Sequence, residues 1–513
     1  MTATLRDDLA ALRALSAELM DLERIGELLS WDQETMMPPH GTPYRAAQRT
    51  TLDGLAHQRL TAPAVKELLD RLAWPASDPQ SPLSEVERAL VREMRRDYER
   101  AAKLPEALVR DLARATSEGV ETWRRARQQA RWPVFAGDLE RIVALKRREA
   151  ELLGYTDTPY DALLDLYEPG VTTRALVPLF EHLRTETVRL LDRLKQAREQ
   201  PDRSVLEQPY DSRLQWTFIE TVLRTIGFNF EAGRLDRSTH PFATSLGPGD
   251  VRLTARLHER DLSVGLFGAI HEAGHGLYEQ GIDPELARTT LGRAASLGIH
   301  ESQSRLWENF IGRSLPFWQY FLPPLRDLFP IQLYERRLAE FVRAINVVRP
   351  SLIRVEADEV TYNLHIILRF DIERRLIEGQ VQVRDLPDLW NALMQEYLGL
   401  VPPNDRDGVL QDIHWALGLF GYFPTYTLGN IYAAQLWTAL RRTYPDLDSR
   451  LAAGEFGLVL GWLREHIHRY GRLYWPVELI QRATGEAPTP VYLVRYLNEK
   501  FGSLYGLAPV GAA

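Results

Sequence analysis

Residues 263–281, Ser-Val-Gly-Leu-Phe-Gly-Ala-Ile-His-Glu-Ala-Gly-His-Gly-Leu-Tyr-Glu-Gln-Gly, constrain this chain more than any other stretch. They are apolar, their spacing predicts a helix, and they carry His271, Glu272 and His275 near their centre. Residues four apart on a helix lie one turn apart on one face, so the two imidazoles can converge on one metal ion while Glu272 points to the edge of that face. Neutral imidazole suits zinc, and a carboxylate that is not itself a ligand can take a proton from water at the metal. His271 and His275 are therefore candidate ligands, and Glu272 is the candidate general base.

A catalytic zinc keeps three protein ligands and one open position, so a third donor must come from elsewhere. The extended pattern that supplies it as a histidine is excluded, because Gly281 occupies that position. Glu279 lies on the next turn of the same helix and cannot readily bend back over the metal. Glu301, opening the next helix but one, is the better placed carboxylate. Leu306, Trp307, Phe310 and Ile311 form that helix's apolar stripe and leave Glu301, Ser304 and Glu308 on a flank, with Glu308 in reserve. Without the motif, Glu301 would read as a solvated carboxylate favoured by the helix dipole in a first turn. The chain has no cysteine, which removes disulfides, thiolate-ligated metals and cysteine proteases, so a transition metal must use histidine and carboxylate.

With 513 residues, 45% hydrophobic and 26% charged, the chain reads as globular. A formal net charge of −8 argues against a nucleic-acid partner. No apolar run reaches membrane-spanning length and the first twelve residues lack a signal pattern, so no membrane partner and a cytoplasmic location are expected. Periodicity predicts helices over 5–30, 43–60, 173–199 and 213–226, and three helices packed side by side over 84–154, broken at Pro105 and at Trp132-Pro133. Residues 228–254 change texture, with turn residues followed by alternation. They read as a small strand or hairpin beside the motif helix, or as an ordinary loop. No linker or repeat marks a boundary, so a single unit over 1–513 is expected, with approximate lobes 1–230 and 231–513.

Residues 351–379 read as one long buried helix on which Arg354, Asp358, Tyr362, His365 and Arg369 form a polar stripe, lining a cleft or making an internal ion-pair network. Only five of the 62 basic residues are lysines, and none lies between Lys195 and Lys500. A fixed cation in that span must be arginine, whose planar fork suits a carboxylate. Arg354 is the first candidate, with Asp358 one turn on to orient it, and Arg252 and Arg305 are the runners-up. Further on, His414 is followed within a few turns by Tyr422 and Tyr426, groups able to steady an oxyanion and a peptide main chain.

Together these stretches resemble the carboxypeptidase Taq family of zinc metallocarboxypeptidases over nearly the whole chain. The resemblance rests on the run Leu29-Ser30-Trp31-Asp32-Gln33-Glu34-Thr35-Met36-Met37-Pro38, His240-Pro241-Phe242, Asp250-Val251-Arg252-Leu253-Thr254, the motif from His271 to His275, His300-Glu301-Ser302, Ile353-Arg354-Val355-Glu356-Ala357-Asp358, and residues 408–415. It implies a mainly α, two-lobed fold with a long central groove and, with the reading of 228–254, a small β element near the active site. It further implies zinc, or cobalt in its place, a homodimer, peptide substrates, and stepwise release of C-terminal residues with broad specificity. His271, His275 and Glu301 are then the ligands and Glu272 the base. His414, Tyr422 and Tyr426 join as candidate catalytic residues, and His240, Arg252 and Arg354 as candidate substrate-binding residues. The other readings are a related helical endopeptidase or oligopeptidase, and a non-catalytic peptide-binding protein.

Overall fold

The computed structural model describes residues 3–74 and 81–508. Its first helices are α1 (Ala3–Thr35), α2 (Thr42–Leu60), α3 (Pro63–Arg71), α4 (Glu85–Lys103), α5 (Glu106–Gln129), α6 (Pro133–Leu153), α7 (Pro159–Leu164), α8 (Thr173–Lys195) and α9 (Ser212–Thr225). Their ends follow backbone chemistry. Pro63, Pro133 and Pro159 open helices at the position whose N–H needs no partner, and Thr158, Thr172 and Asp211 cap theirs with side-chain oxygens. The breaks at Pro105 and Trp132-Pro133 are the junctions of α4, α5 and α6.

Three strands follow, β1 (Gly233–Arg237), β2 (Ala243–Ser245) and β3 (Val251–Ala255). The remaining helices are α10 (Leu262–Glu279), α11 (Pro284–Ala287), α12 (Leu297–Arg305), α13 (Leu315–Leu328), α14 (Pro330–Leu333), α15 (Leu338–Ala344), α16 (Tyr362–Ile377), α17 (Leu386–Leu398), α18 (Pro424–Thr443), α19 (Leu447–Ala452), α20 (Gly457–His466), α21 (Pro476–Thr484) and α22 (Val491–Leu504). The fold is mainly α, as expected, and among the described residues no helix is long and apolar enough to cross a membrane.

The chain forms two compact units. One comprises Met1–Lys103, Ser204–Leu338 and Ala439–Gly485, and the other Leu104–Arg203, Ala339–Thr438 and Glu486–Ala513. Each is drawn from three separate stretches, whereas the lobes expected from sequence were successive. This partition also alters the reading of 84–154: α5 and α6 pack together in the second unit, while α4 packs on α1, α2 and α3 in the first. A second correction concerns 351–379. Only Tyr362–Ile377 is α-helical, and Arg354–Glu356 is an isolated 3₁₀ turn. Asp358 explains the interruption, because its carboxylate accepts from the backbone N–H of Val360 (2.9 Å), Thr361 (3.0 Å) and Arg349 (3.0 Å) and from the Thr361 hydroxyl (2.8 Å). An aspartate that can satisfy backbone donors directly competes with helix.

In the first unit the strands form one sheet in the order β1-β3-β2, with β1 parallel and β2 antiparallel to the central β3. This settles 228–254 as sheet rather than loop, and shows more than a hairpin. β3 buries Val251, Leu253, Thr254 and Ala255, and packs against α10. From α1, Arg24 donates to the Ser245 carbonyl (2.6 Å), and the Thr244 hydroxyl donates to Glu27 (2.8 Å), so the N-terminal helix fastens the β2 edge.

Helix α10 lies between this sheet and α12, and two glycines let both come close. A Cβ on Gly276 would sit 2.8 Å from Leu253 Cδ2, and one on Gly274 would sit 2.5 Å from Ser304 Cα and 2.6 Å from the Gln303 carbonyl oxygen. The second obstacle is backbone and cannot swing aside. Gly274→Ala is therefore expected to push α12 away at a cost of about 1–3 kcal/mol or more, read as a lower denaturation midpoint at unchanged m-value.

Candidate active site

Three side chains of the first unit come together where α10 faces α12. Nε2 of His271 is 3.6 Å and Nε2 of His275 is 3.4 Å from Oε2 of Glu301, and one ligand atom from each residue lies within 4.8 Å of the others. Tetrahedral zinc with bonds near 2.0–2.2 Å places its ligand atoms about 3.3–3.6 Å apart, so the donors fit such an ion in both chemistry and distance. Glu308, the reserve candidate, is turned to other work: its Oε2 lies 3.0 Å from Nδ1 of His271. On the second histidine, Nδ1 of His275 meets Nδ1 of His300 at 2.5 Å, and Nε2 of His300 lies 3.0 Å from Glu279. Both ligand candidates thus have Nδ1 occupied and Nε2 turned toward Glu301. Such outer partners fix ring orientation at metal sites.

Arg305 donates to Glu301 (2.7 Å) and to Glu308 (3.1 Å), and Arg313 lies 3.3 Å from Glu308. Burial opposes ionisation of both acids, but Arg305 and the imidazoles outweigh it, holding Glu301 well below the usual carboxylate range and Glu308 down to about 2. Burial drives His275 down to about 3, so it is neutral at pH 7, as a ligand must be. Glu272 behaves oppositely. Burial lifts its carboxyl to about 7, opposed by His271 and reinforced by Glu301. Its side chain has no hydrogen bond or ion pair among the described residues.

The other candidates occupy different surroundings. Arg252, on β3, makes a two-pronged pair with Asp250 (2.9 and 2.8 Å) and stacks over Trp31 at 4.3 Å. His240 is exposed in the loop between β1 and β2, and its carbonyl accepts from Ser238 (2.6 Å). In the second unit, two nitrogens of Arg354 donate to Asp412 (3.0 and 2.9 Å) and a third to the Tyr362 hydroxyl (3.1 Å). Arg369 holds the other oxygen of Asp412 (2.6 Å). The expected Arg354–Asp358 pair is not formed, since Asp358 is bound to backbone and Asp412 takes its place. Nε2 of His414 lies 3.3 Å from the Tyr426 hydroxyl, its ring packs on Phe423 at 4.4 Å, and Tyr422 stands 5.5 Å away. Burial lowers His414 to about 4. Glu373, itself raised to about 7 by burial, accepts from Tyr160 (2.8 Å), Trp415 (2.9 Å) and the Gly421 backbone (3.0 Å), pinning the segment that carries His414.

The model of the carboxypeptidase Taq (M32) metallopeptidase family matches residues 11–501. The chain belongs to the carboxypeptidase Taq family. It is 46% identical over 494 residues to thermostable carboxypeptidase 1 of Thermus thermophilus, covering 94% of this chain and 96% of that protein. It is 41% identical over 478 residues to carboxypeptidase 1 of Bacillus subtilis, covering 93% and 95%. A crystal structure of an M32 carboxypeptidase from Deinococcus radiodurans R1 superposes with a TM-score of 0.94 at 39% identity, covering 98% of this chain and all of that one.

As a member of the carboxypeptidase Taq family the chain is a metallocarboxypeptidase, a peptide hydrolase whose chemistry uses a divalent metal. Sequence reasoning missed the roles of His300, Asp412 and Glu373. His300 stood beside the favoured ligand and Asp412 beside Gln411 in a largely apolar run, but neither neighbour in sequence names a partner in space.

The raised carboxyl of Glu272 carries a pH signature in the metal-free protein. Between 4.5 and about 7 the unfolded chain has released this proton while the folded chain keeps it, so folding stability falls as pH rises through that window. Relative to Glu272→Gln, metal-free wild-type protein is expected to lose up to about 3 kcal/mol across it, measured by denaturant unfolding at each pH.

Proposed function

We propose that His271, His275 and Glu301 hold a zinc ion and that Glu272 is the general base for hydrolysis of the C-terminal peptide bond of peptides. The observation supporting this reading most is the pair of imidazole Nε2 atoms within 3.6 Å of the Glu301 carboxylate, with an unbonded glutamate on the residue between them nearest His271. Zinc bound there supplies Lewis acidity toward water and the scissile carbonyl. Glu272 takes a proton from the attacking water at its carboxylate oxygen as the new C–O bond forms. It returns that proton to the amide nitrogen as the C–N bond breaks, and the second water proton passes from the new carboxyl to the leaving nitrogen, giving a carboxylate and an ammonium. Arg305 keeps Glu301 ionised, and Glu308 and His300 hold the imidazole planes.

A carboxypeptidase must recognise a free carboxylate, and Arg354 is the proposed cation, with neutral His414 and Tyr426, or Tyr422, bonding the peptide main chain and oxyanion. His240 and Arg252 are the further proposed substrate contacts. The same reading includes release of C-terminal residues one at a time with broad specificity, cobalt in place of zinc and a homodimer, all supported by the family resemblance, together with a cytoplasmic location. Incubating the protein with a defined peptide as free acid and as C-terminal amide, and following products by mass, tests it: a ladder from the free acid alone is expected, and internal cleavage of both would refute it.

Glu272→Gln is expected to keep one metal per chain while kcat falls on the order of a hundredfold to ten-thousandfold; metal analysis beside kinetics checks both halves. Arg354→Ala is expected to depress kcat/KM on free-acid peptides by the equivalent of about 2–5 kcal/mol with little change in metal content. Because Asp412 keeps Arg369 at 2.6 Å, Tm should change much less than the kinetics. A large Tm loss with unaltered preference for free acid over amide would make Arg354 part of a structural ion triad.

A further inference from the structure

His300 is held at both ring nitrogens. Its Nδ1 is 2.5 Å from Nδ1 of His275 and its Nε2 is 3.0 Å from Oε1 of Glu279, whose Oε2 lies 3.9 Å from Arg24. With His300 in its neutral form, counting hydrogens along this chain leaves one solution. A carboxylate can only accept, so the hydrogen between His300 and Glu279 sits on Nε2 of His300. A neutral imidazole carries a single N–H, which leaves Nδ1 of His300 a lone pair. Two lone pairs cannot face each other at that distance, so the hydrogen between the rings belongs to Nδ1 of His275. His275 then presents its own lone pair at Nε2, the nitrogen 3.4 Å from Glu301.

We propose that His300, oriented by Glu279 and backed by Arg24, is a positioning residue that selects Nε2 of His275 for the metal. The inference rests on the ligand set proposed above. The opposite tautomer would aim an N–H at the site and leave His275 unable to bind. His271 reaches the same end by a shorter route, since its Nδ1 meets the carboxylate of Glu308 directly at 3.0 Å. Glu279 sits one turn beyond His275 and cannot reach the metal itself, yet through His300 it governs which atom of His275 does. Arg24 also donates to the Ser245 carbonyl (2.6 Å), so α1 and the β2 edge hold the far end of the relay still.

The test uses the full chain, stripped of metal, with zinc affinity measured by competition against a chromophoric chelator and Tm of the metal-free protein recorded alongside. His300→Gln offers an amide oxygen to His275 and an amide N–H to Glu279, whereas His300→Leu offers neither. The leucine variant is expected to bind zinc roughly 10- to 100-fold more weakly, and the glutamine variant to recover most of that loss. In cobalt-loaded protein, the paramagnetically shifted Nδ1–H proton of His275 should exchange with solvent faster in His300→Leu than in wild type. Equal losses in the two variants would assign the effect to side-chain volume, and wild-type affinity in His300→Leu would remove it; either overturns the proposal. Should His300→Leu not fold, Glu279→Leu removes the acceptor while keeping His300 and must weaken zinc binding in the same direction. Failure of the wild-type chain to bind zinc at all would instead refute the ligand set, which keeps the two failures apart.

Discussion

The approach of α12 to α10 across Gly274 is the contact on which the site depends. A ligand pair on one helix is incomplete, and the third donor must arrive on a separate element within bond reach of the same point. Side chains normally keep helix axes 8–10 Å apart, and even one methyl group on residue 274 would meet the backbone of Gln303 and Ser304. Removing it brings Glu301, two and three residues ahead of those contacts, under His271 and His275. The same approach delivers His300 and Glu308, so one close contact supplies Glu301, the proposed third donor, and the partners of both imidazoles. Gly276 serves the opposite face, where β3 presses on α10.

Much of this was legible in sequence, and the reasons are local. His271, Glu272 and His275 lie within one turn and a proline-punctuated helix announces its own ends, so α10 and the junctions at Pro105 and Pro133 needed no tertiary information. The approach of Glu301 to the two histidines was reachable because the motif demanded a carboxylate, although the apolar residues from Leu306 to Ile311 used to place it form a π-helical turn beyond α12. What escaped depends on partners distant in sequence. The parallel pairing of β1 with β3 is not encoded in either five-residue strand. The units are assembled from interleaved segments, a choice made by packing. Residues 351–379 misled for a specific reason: the polar positions at three- and four-residue spacing mimic one face of a helix, but Asp358 binds backbone donors and the chain turns there, while Arg354 still finds Asp412.

Charge in both clusters follows one rule, that a buried ion must be answered nearby. Glu301 and Glu308 are joined by Arg305, and Arg313 adds a second cation. Asp412 sits between Arg354 and Arg369, and Gln411 bonds the Arg354 backbone and the Arg369 side chain. These networks leave their carboxylates ionised and their geometry over-determined, as the proposed ligand and substrate-binding roles require. They also make those carboxylates poor bases, because a proton would have to displace an arginine.

Glu272 stands outside that rule, which supports its proposed role as the base. Among the described residues, the other buried carboxylates are all engaged. Glu93 is bonded by Arg92, Arg472 and Trp475, Glu149 by Lys146, Asp161 by Thr173, Glu168 by Tyr432 and Asp236 by Arg234. Glu279 meets His300, Glu301 meets Arg305, and Glu373 takes three donors. Glu272 is buried with no such partner, and its carboxyl rises to about 7 as a result. Fold stability gains nothing from a carboxyl in that state, since the desolvation is uncompensated. A group that must take a proton from water and give it up within one catalytic cycle, however, works best with a pKa near the working pH and lone pairs not already bound. A metal ion held by the adjacent ligands would stabilise the ionised form and bring the carboxylate into its accepting state. With the proposed ligand set, the cost of leaving Glu272 unpaired would be borne by the metal-free fold and relieved on metal binding.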